Sequence, residues 1–141
     1  MILGLIPSRL NSRRLKNKSL IEIDGLPMII HTLKRAKLAK RLDKVIVCTD
    51  SIKIKSVVEN HGGTALMTSK KHQNGTERIA EIAKKFKCKL VVNIQGDEPL
   101  VSPSDLNQLV AFHLKNKNFD IVLPSVRSKN QFNSRNVVKV V

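Results

Sequence analysis

Two stretches of the chain carry side chains suited to chemistry. The first is Gln95-Gly96-Asp97-Glu98, which ends the apolar run KLVVNI at 89–94. That run reads as a buried strand, so Gln95 and two adjacent carboxylates arrive together at a strand's C-terminal end. The second is loop 8–24, with Arg9, Arg13, Arg14, Lys16 and Lys18, in a segment where residues 1 to 21 contain no acid. A cationic loop facing carboxylates suits a polyphosphate and a divalent metal. Carboxylate oxygens are hard ligands, and Mg2+ usually takes one or two of them plus substrate phosphates. Asp97 escapes the bland reading of such a pair, a turn with a helix cap, because Ser102 already supplies the cap of the next helix. Glu98 reads as a turn residue.

Those residues need a scaffold that brings them together, and the chain alternates strand and helix patterns. Strands are expected at ILGLIP (2–7), KVIVCT (44–49), TALM (64–67), KLVVNI (89–94), DIVLPSV (120–126) and VVKVV (137–141). Helices are expected at 27–40 with Pro27 at the start, at 51–62 capped by Asp50 or Ser51, at 76–86, and from Ser102-Pro103 to about Asn116. Nearly continuous apolar strands between helices imply a mostly parallel sheet covered on both faces, an α/β fold. Such sheets bind ligands beyond the C-terminal ends of their strands, where the strand order reverses. Loop 8–24, Thr49-Asp50 and Gln95–Asp97 should meet at that edge.

Composition narrows the field. The chain has 141 residues, is 41% hydrophobic and carries a formal charge of +15, which suits one globular domain rather than disorder. No apolar run approaches the ~20 residues of a membrane span, and MILGLIPSRL lacks the pattern of a signal peptide. A cytoplasmic location is expected, with no membrane partner. Cys48 and Cys88 sit in apolar runs outside any CxxC pair and read as reduced, buried thiols. The cations at 34–44 fall largely on a helix and read as its solvated face. The dinucleotide fingerprint G-x-G-x-x-G and the P-loop are both missing after the first strand. The four histidines show no zinc spacing.

Three segments, IPSRLNSRRLKNKSLIEIDGLPMIIHTLKRA, HQNGTERIAEIA and VVNIQGDEPLV, closely resemble the 3-deoxy-manno-octulosonate (KDO) cytidylyltransferases, or CMP-KDO synthetases. Of the pattern I-P-A-R-x-x-S-x-R-L-P-G-K-P-L, the chain keeps Arg9, Ser12, Arg14, Leu15, Lys18 and Leu20. It has Lys16-Asn17 in place of Pro-Gly and Ser19 in place of the later proline. The resemblance implies a three-layer, Rossmann-like nucleotidyltransferase fold and transfer of CMP from CTP to KDO, with release of pyrophosphate and with Mg2+ as cofactor. It implies that Arg9 and Lys18 hold the triphosphate, that Ser12 and Arg14 order the loop or add substrate contacts, and that Asp97 ligates Mg2+. Gln95 is expected to bind sugar or nucleotide. Leu5 to Pro7 and Thr49-Asp50 are expected to line the cytosine pocket. His72, Gln73, Gly75, Thr76 and Arg78 are expected to form a ligand-facing loop and helix start. Arg78 has Glu81 and Asp97 as possible ion-pair partners, and Arg14 has Glu22.

Chains of the family run to roughly 250 residues and are expected to be homodimers. Residues 1–141 correspond to the N-terminal, nucleotide-binding portion of such a domain, and little synthetase activity is expected from that portion alone. Two other readings compete. One is a cytidylyltransferase for another acid sugar, such as a sialic acid. The other is a nucleic-acid-binding module, suggested by the charge. Against the latter, the only aromatics are Phe86, Phe112, Phe119 and Phe132, which read as core or loop packing rather than as a base-stacking platform.

Overall fold

Apolar alternation along the strands builds a three-layer core in the computed structural model, which describes residues 1–10 and 17–125. The central strand β1 (Ile2–Ser8) sends Leu3 and Leu5 to one face and Ile6 to the other. Strand β4 (Lys44–Thr49) repeats this, with Ile46 and Cys48 on the first face and Val45 and Val47 on the second. Two very short strands precede β4, namely β2 (Glu22–Ile23) and β3 (Leu26–Pro27). Strands β5 (Ala65–Met67) and β6 (Leu90–Asn93) complete the set.

The main sheet has the order β5-β4-β1-β6, and every pairing in it is parallel. Helix α3 (Gly75–Ala83) covers the first face through Ile79 and Ile82. Helices α1 (Met28–Lys37), α2 (Ile52–Asn60) and α4 (Pro103–Lys115) cover the other through residues such as Ile29, Leu33, Val58 and Val110. The chain builds outward from β1 through β4 to β5, then returns to place β6 on the other side of β1. The order therefore reverses between β1 and β6, and a crevice at their C-terminal ends is what that topology predicts.

The expected caps are present. Ser51 accepts from the Ile54 amide, and Ser102 accepts from the Asp105 amide with Pro103 behind it. The expected loop 8–24 contains more structure than its polarity suggests. Lys18–Leu20 form a 3-10 turn, and β2 and β3 make a small antiparallel hairpin. Its turn, Asp24-Gly25, has φ of 48° and 75°, the pair of left-handed residues that a tight hairpin requires.

Two expectations need correction. The strand expected at 120–126 is not formed over 120–125: these residues pair with no described strand, and Ile121 and Leu123 are exposed. An apolar β-branched run becomes a strand only when a neighbouring edge takes its backbone groups. Phe112 and Phe119 are about half exposed rather than packed in the core, because Phe112 projects from the outer face of α4 and Phe119 follows the helix end. The strand expected at 137–141, together with Ser12, Arg14 and Phe132, lies outside the described residues.

Cys48 is fully buried, and burial pushes its thiol up to about 12; both cysteines are free. Among the described residues no helix is long and apolar enough to cross a membrane.

Burial separates two isoleucines that composition treats alike. Ile6 is fully buried on the central strand, whereas Ile52 is 74% exposed. Ile6→Ala is expected to lower the unfolding free energy by roughly 2–5 kcal/mol, and Ile52→Ala by less than about 0.5 kcal/mol. Urea denaturation with unchanged slope is the measurement.

Candidate functional site

A cleft of about 250 Å³ opens at the C-terminal ends of β1 and β6, where the strand order reverses. Arg9 enters it directly after β1. Gln95, Gly96 and Asp97 enter after β6, and Lys18 enters from the 3-10 turn. A second cleft of about 510 Å³ adjoins it and shares Arg9, His72 and Arg78 with the first; Asp50 lines this second space.

The walls are set by close backbone contact. A Cβ on Gly96 would lie 2.7 Å from the carbonyl oxygen of Pro7, so only glycine allows the two strand ends to approach this closely. The Thr32 hydroxyl, fully buried on α1, shares its single hydrogen between the Gly96 carbonyl at 3.3 Å and that of Met28 at 3.4 Å, tying helix to turn.

Loop 8–24 is anchored at its return. The Asn17 amide donates to the Leu10 carbonyl at 3.1 Å, closing the base of the segment between them. Asn17 sits at φ 56°, a left-handed conformation that asparagine tolerates and glycine favours. Replacement of Gly by Asn17 therefore keeps this geometry available. The buried hydroxyl of Ser8 donates to that of Ser19 at 2.8 Å, so the serine that replaces a proline pins the turn to the end of β1. Lys18 then reaches Asp97 at 2.6 Å.

A second ion pair stands close by in a different medium. Arg78 is 3% exposed and donates to Asp50 at 2.7 Å; it also donates to Thr68 Oγ1 and, at 3.5 Å, to the Ser69 carbonyl. Neither Glu81 nor Asp97, the partners considered from sequence, takes this role. The arginine holds the segment between β5 and α3 against the end of β4.

That segment is fixed from the helix side as well. Asn74 caps α3 by accepting from the Glu77 amide at 2.8 Å, and Glu77 accepts from Asn74 Nδ2 and the Gln73 amide at 2.9 Å each. Glu81 accepts from the Ser69 amide at 2.9 Å and meets His72 Nε2 at 2.6 Å. The Ser69 amide, then His72, hold the Glu81 carboxyl below its ordinary range.

Of the expected site residues, Pro7, Arg9, Lys18, His72, Gly75, Arg78, Gln95 and Asp97 line the first cleft, and Asp50 lines the second. Four do not. Leu5 shares a strand face with Pro7 but lies one pleat deeper, in the core cluster with Ile79 and Ile82, and its carbonyl is taken by the Ile94 amide. Thr49 is fully buried; its hydroxyl accepts from the Ser51 amide and its carbonyl from the Thr68 amide. Gln73 is exposed and its amide serves the α3 cap. Thr76 is exposed because the helix turns Gly75 and Arg78, three residues apart, toward the cleft and Thr76 away.

Residues the sequence reading passed over are Ser8, Ser19 and Asn74 in the lining, and Glu77 and Glu81 behind it. The Asn74-x-x-Glu77 spacing is a capping signal. Glu81 gives no local signal, since its partners lie 9 and 12 residues away.

A parallel sheet whose order reverses at a cationic cleft defines an α/β domain of the kind that binds ligands beyond its strand ends. Residues 3–141 match the family model for cytidylyltransferases, and the chain belongs to that family. It is 39% identical over 142 residues to a 3-deoxy-manno-octulosonate cytidylyltransferase of Trichlorobacter lovleyi, with 99% of this chain and 56% of the relative covered. It is 43% identical over 144 residues to one of Fusobacterium nucleatum, with 99% and 58% covered. The chain thus spans little more than half the length of these curated relatives. Among solved structures it is similar to a CMP:2-keto-3-deoxy-manno-octonic acid synthetase complexed with CTP. That match has a TM-score of 0.80 at 35% identity, over 82% of this chain and 48% of the other. A Leptospira borgpetersenii cytidylyltransferase shares the fold, with a TM-score of 0.73 at 24% identity, over 82% and 50% of the two chains.

The two ion pairs have nearly equal lengths and unequal burial. Lys18 and Asp97 are 40% and 47% exposed, against 3% and 19% for Arg78 and Asp50. Lys18→Met is expected to change stability by less than about 1 kcal/mol. Arg78→Met, which strands a carboxylate in a largely buried site, is expected to cost roughly 3 kcal/mol. Urea midpoints of the two variants check this.

Because the folded-state pKa of Glu81 lies below its unfolded value, its contribution is complete above the unfolded value and is lost as pH falls through the folded one. The Ser69 amide shift in an NMR titration is expected to move with a midpoint below the ordinary 4.5. In Glu81→Gln that step should vanish.

Proposed function

We propose that residues 1–141 form the N-terminal, nucleotide-binding portion of a KDO cytidylyltransferase, which joins CMP from CTP to KDO and releases pyrophosphate. The observation that carries this reading is the meeting of Arg9, Lys18 and Asp97 in one cleft at the point of strand-order reversal, in a chain of the cytidylyltransferase family. The similarity to a synthetase complexed with CTP and to relatives named for KDO supports the choice of substrates. Such a reaction serves lipopolysaccharide synthesis.

In this reading the sugar hydroxyl attacks the α-phosphorus, and the bond to the β-phosphate oxygen breaks. Rate enhancement then comes from positioning and charge neutralisation. Arg9 offers a planar fork to phosphate oxygens and Lys18 a compact point charge. Gln95 offers an amide at the same edge, with donors and acceptors for a base or a sugar hydroxyl. Arg78 holds the wall, since Asp50, Thr68 and Ser69 engage three of its donors.

The donor set fits Mg2+ held in one particular way. No group of three or more His, Cys, Asp or Glu side chains placed to hold a metal ion is found among the described residues. Asp97 is the one carboxylate among the residues described as lining the first cleft. That matches a cation brought largely by its phosphates, with one protein carboxylate completing the shell. Bound there, the ion would neutralise charge developing on the phosphates. Lys18 would exchange Asp97 for a phosphate oxygen as the triphosphate enters.

Calorimetric titration of CTP with Mg2+ into the chain tests this. Saturable binding is expected, weakened on the order of tenfold or more by Arg9→Ala, as for loss of a charge-assisted bidentate contact. Asp97→Asn is expected to retain CTP binding and lose its Mg2+ dependence. Absence of CTP binding by the folded chain would refute the reading.

A further inference from the structure

Acids are scarce here: the chain has 26 basic residues and 11 acidic ones. Three of those 11, Asp50, Glu77 and Glu81, are committed to the single segment between β5 and α3. Asp50 acts through Arg78. Glu77 serves the helix cap. Glu81 differs from both, because one of its oxygens, Oε2, contacts the backbone at Ser69 and the ring of His72 together. Its other oxygen faces Lys85 Nζ at 3.7 Å. His72 in turn lines both clefts, standing where they adjoin.

A carboxylate only accepts hydrogen bonds. At 2.6 Å from Glu81, Nε2 must therefore carry the hydrogen, and the ring is held at that nitrogen. The other ring nitrogen, Nδ1, lies 3.8 Å from Glu77 Oε2, beyond hydrogen-bond reach. The ring has one firm tether, and Glu81 supplies it. These same contacts lower the Glu81 pKa, so the tether stays ionised further into acid than an ordinary glutamate would. No other described side chain behind the cleft wall grips both the loop backbone and a cleft-lining ring.

We propose that Glu81 is a positioning residue for nucleotide binding: by clamping His72 Nε2 and the Ser69 amide, it fixes the orientation in which His72 meets the ligand at the junction of the two clefts. This rests on the reading of the first cleft as the nucleotide site. A residue that merely stabilised α3 would affect folding equally whether or not His72 were present. A positioning residue acts through the ring, so its effect on affinity must disappear with the ring.

The test is a double-mutant cycle on CTP affinity in the presence of Mg2+. Wild type, Glu81→Gln, His72→Ala and the double variant are compared by calorimetry. Glu81→Gln is expected to weaken CTP on the order of tenfold, and the double variant to bind no more weakly than His72→Ala alone. Unchanged affinity in Glu81→Gln overturns the proposal. So does a loss in the double variant equal to the product of the two single losses. If Glu81→Gln does not fold, the ring 15N shifts of His72 in the wild-type chain decide: they are expected to change on addition of CTP while Nε2 stays protonated. Shifts indifferent to saturating CTP overturn it. A folded wild-type chain that fails to bind CTP removes the nucleotide reading as well. CTP binding that Glu81→Gln leaves untouched removes only this one.

Discussion

The parallel ladders on either side of β1 carry everything that happens at the cleft. Because β1 lies between β4 and β6 in the same direction, three chain segments leave the sheet at one edge. Arg9, Asp50 and Gln95–Asp97 are neighbours for that reason alone, although up to 88 positions separate them in sequence. The helices hold this edge open. Helix α3 seals one face through Ile79 and Ile82, and α1 seals the other while reaching Gly96 through Thr32. Hydrophobic burial builds the frame, and the frame makes polar groups converge that no local signal could bring together.

Within that frame electrostatics divides into two kinds of work. The Arg78–Asp50 pair is buried, multiply hydrogen-bonded and structural. The Lys18–Asp97 pair is half-exposed and lightly held, so each partner is free to accept another. Near-equal distances conceal this difference, and exposure reveals it. Three of the scarce acids, Asp50, Glu77 and Glu81, brace the segment between β5 and α3, while Arg9 and the half-exposed Lys18 face the cleft.

Much of this was legible in the sequence because it is periodic or capped. The alternation of Leu3, Leu5 and Ile6 fixed which faces of β1 are buried, and Ser51, Ser102 and Pro103 announced their helices. Asp24-Gly25 carried a hairpin signal inside what read as plain loop. The run at 120–125 misled, since its residues suit a strand but its backbone has no described neighbour to pair with. Leu5 and Thr49 misled for a matter of depth: one pleat decides between cleft and core, and sequence counts residues rather than depth. The roles of Ser19 and Glu81 depend on contacts 9 to 12 residues away, beyond any local pattern.

The seam at Gly96 has a wider consequence. Since backbone meets backbone there, with Pro7 oxygen where a side chain would otherwise begin, the width of the cleft is set by main chain rather than by the residues that line it. Charge and shape around the rim can drift through Gln95, Asn74 or Arg9 without moving the strands apart. At this seam any added side chain would have to push a strand end aside, so the width of the cleft is tied to a residue that has none.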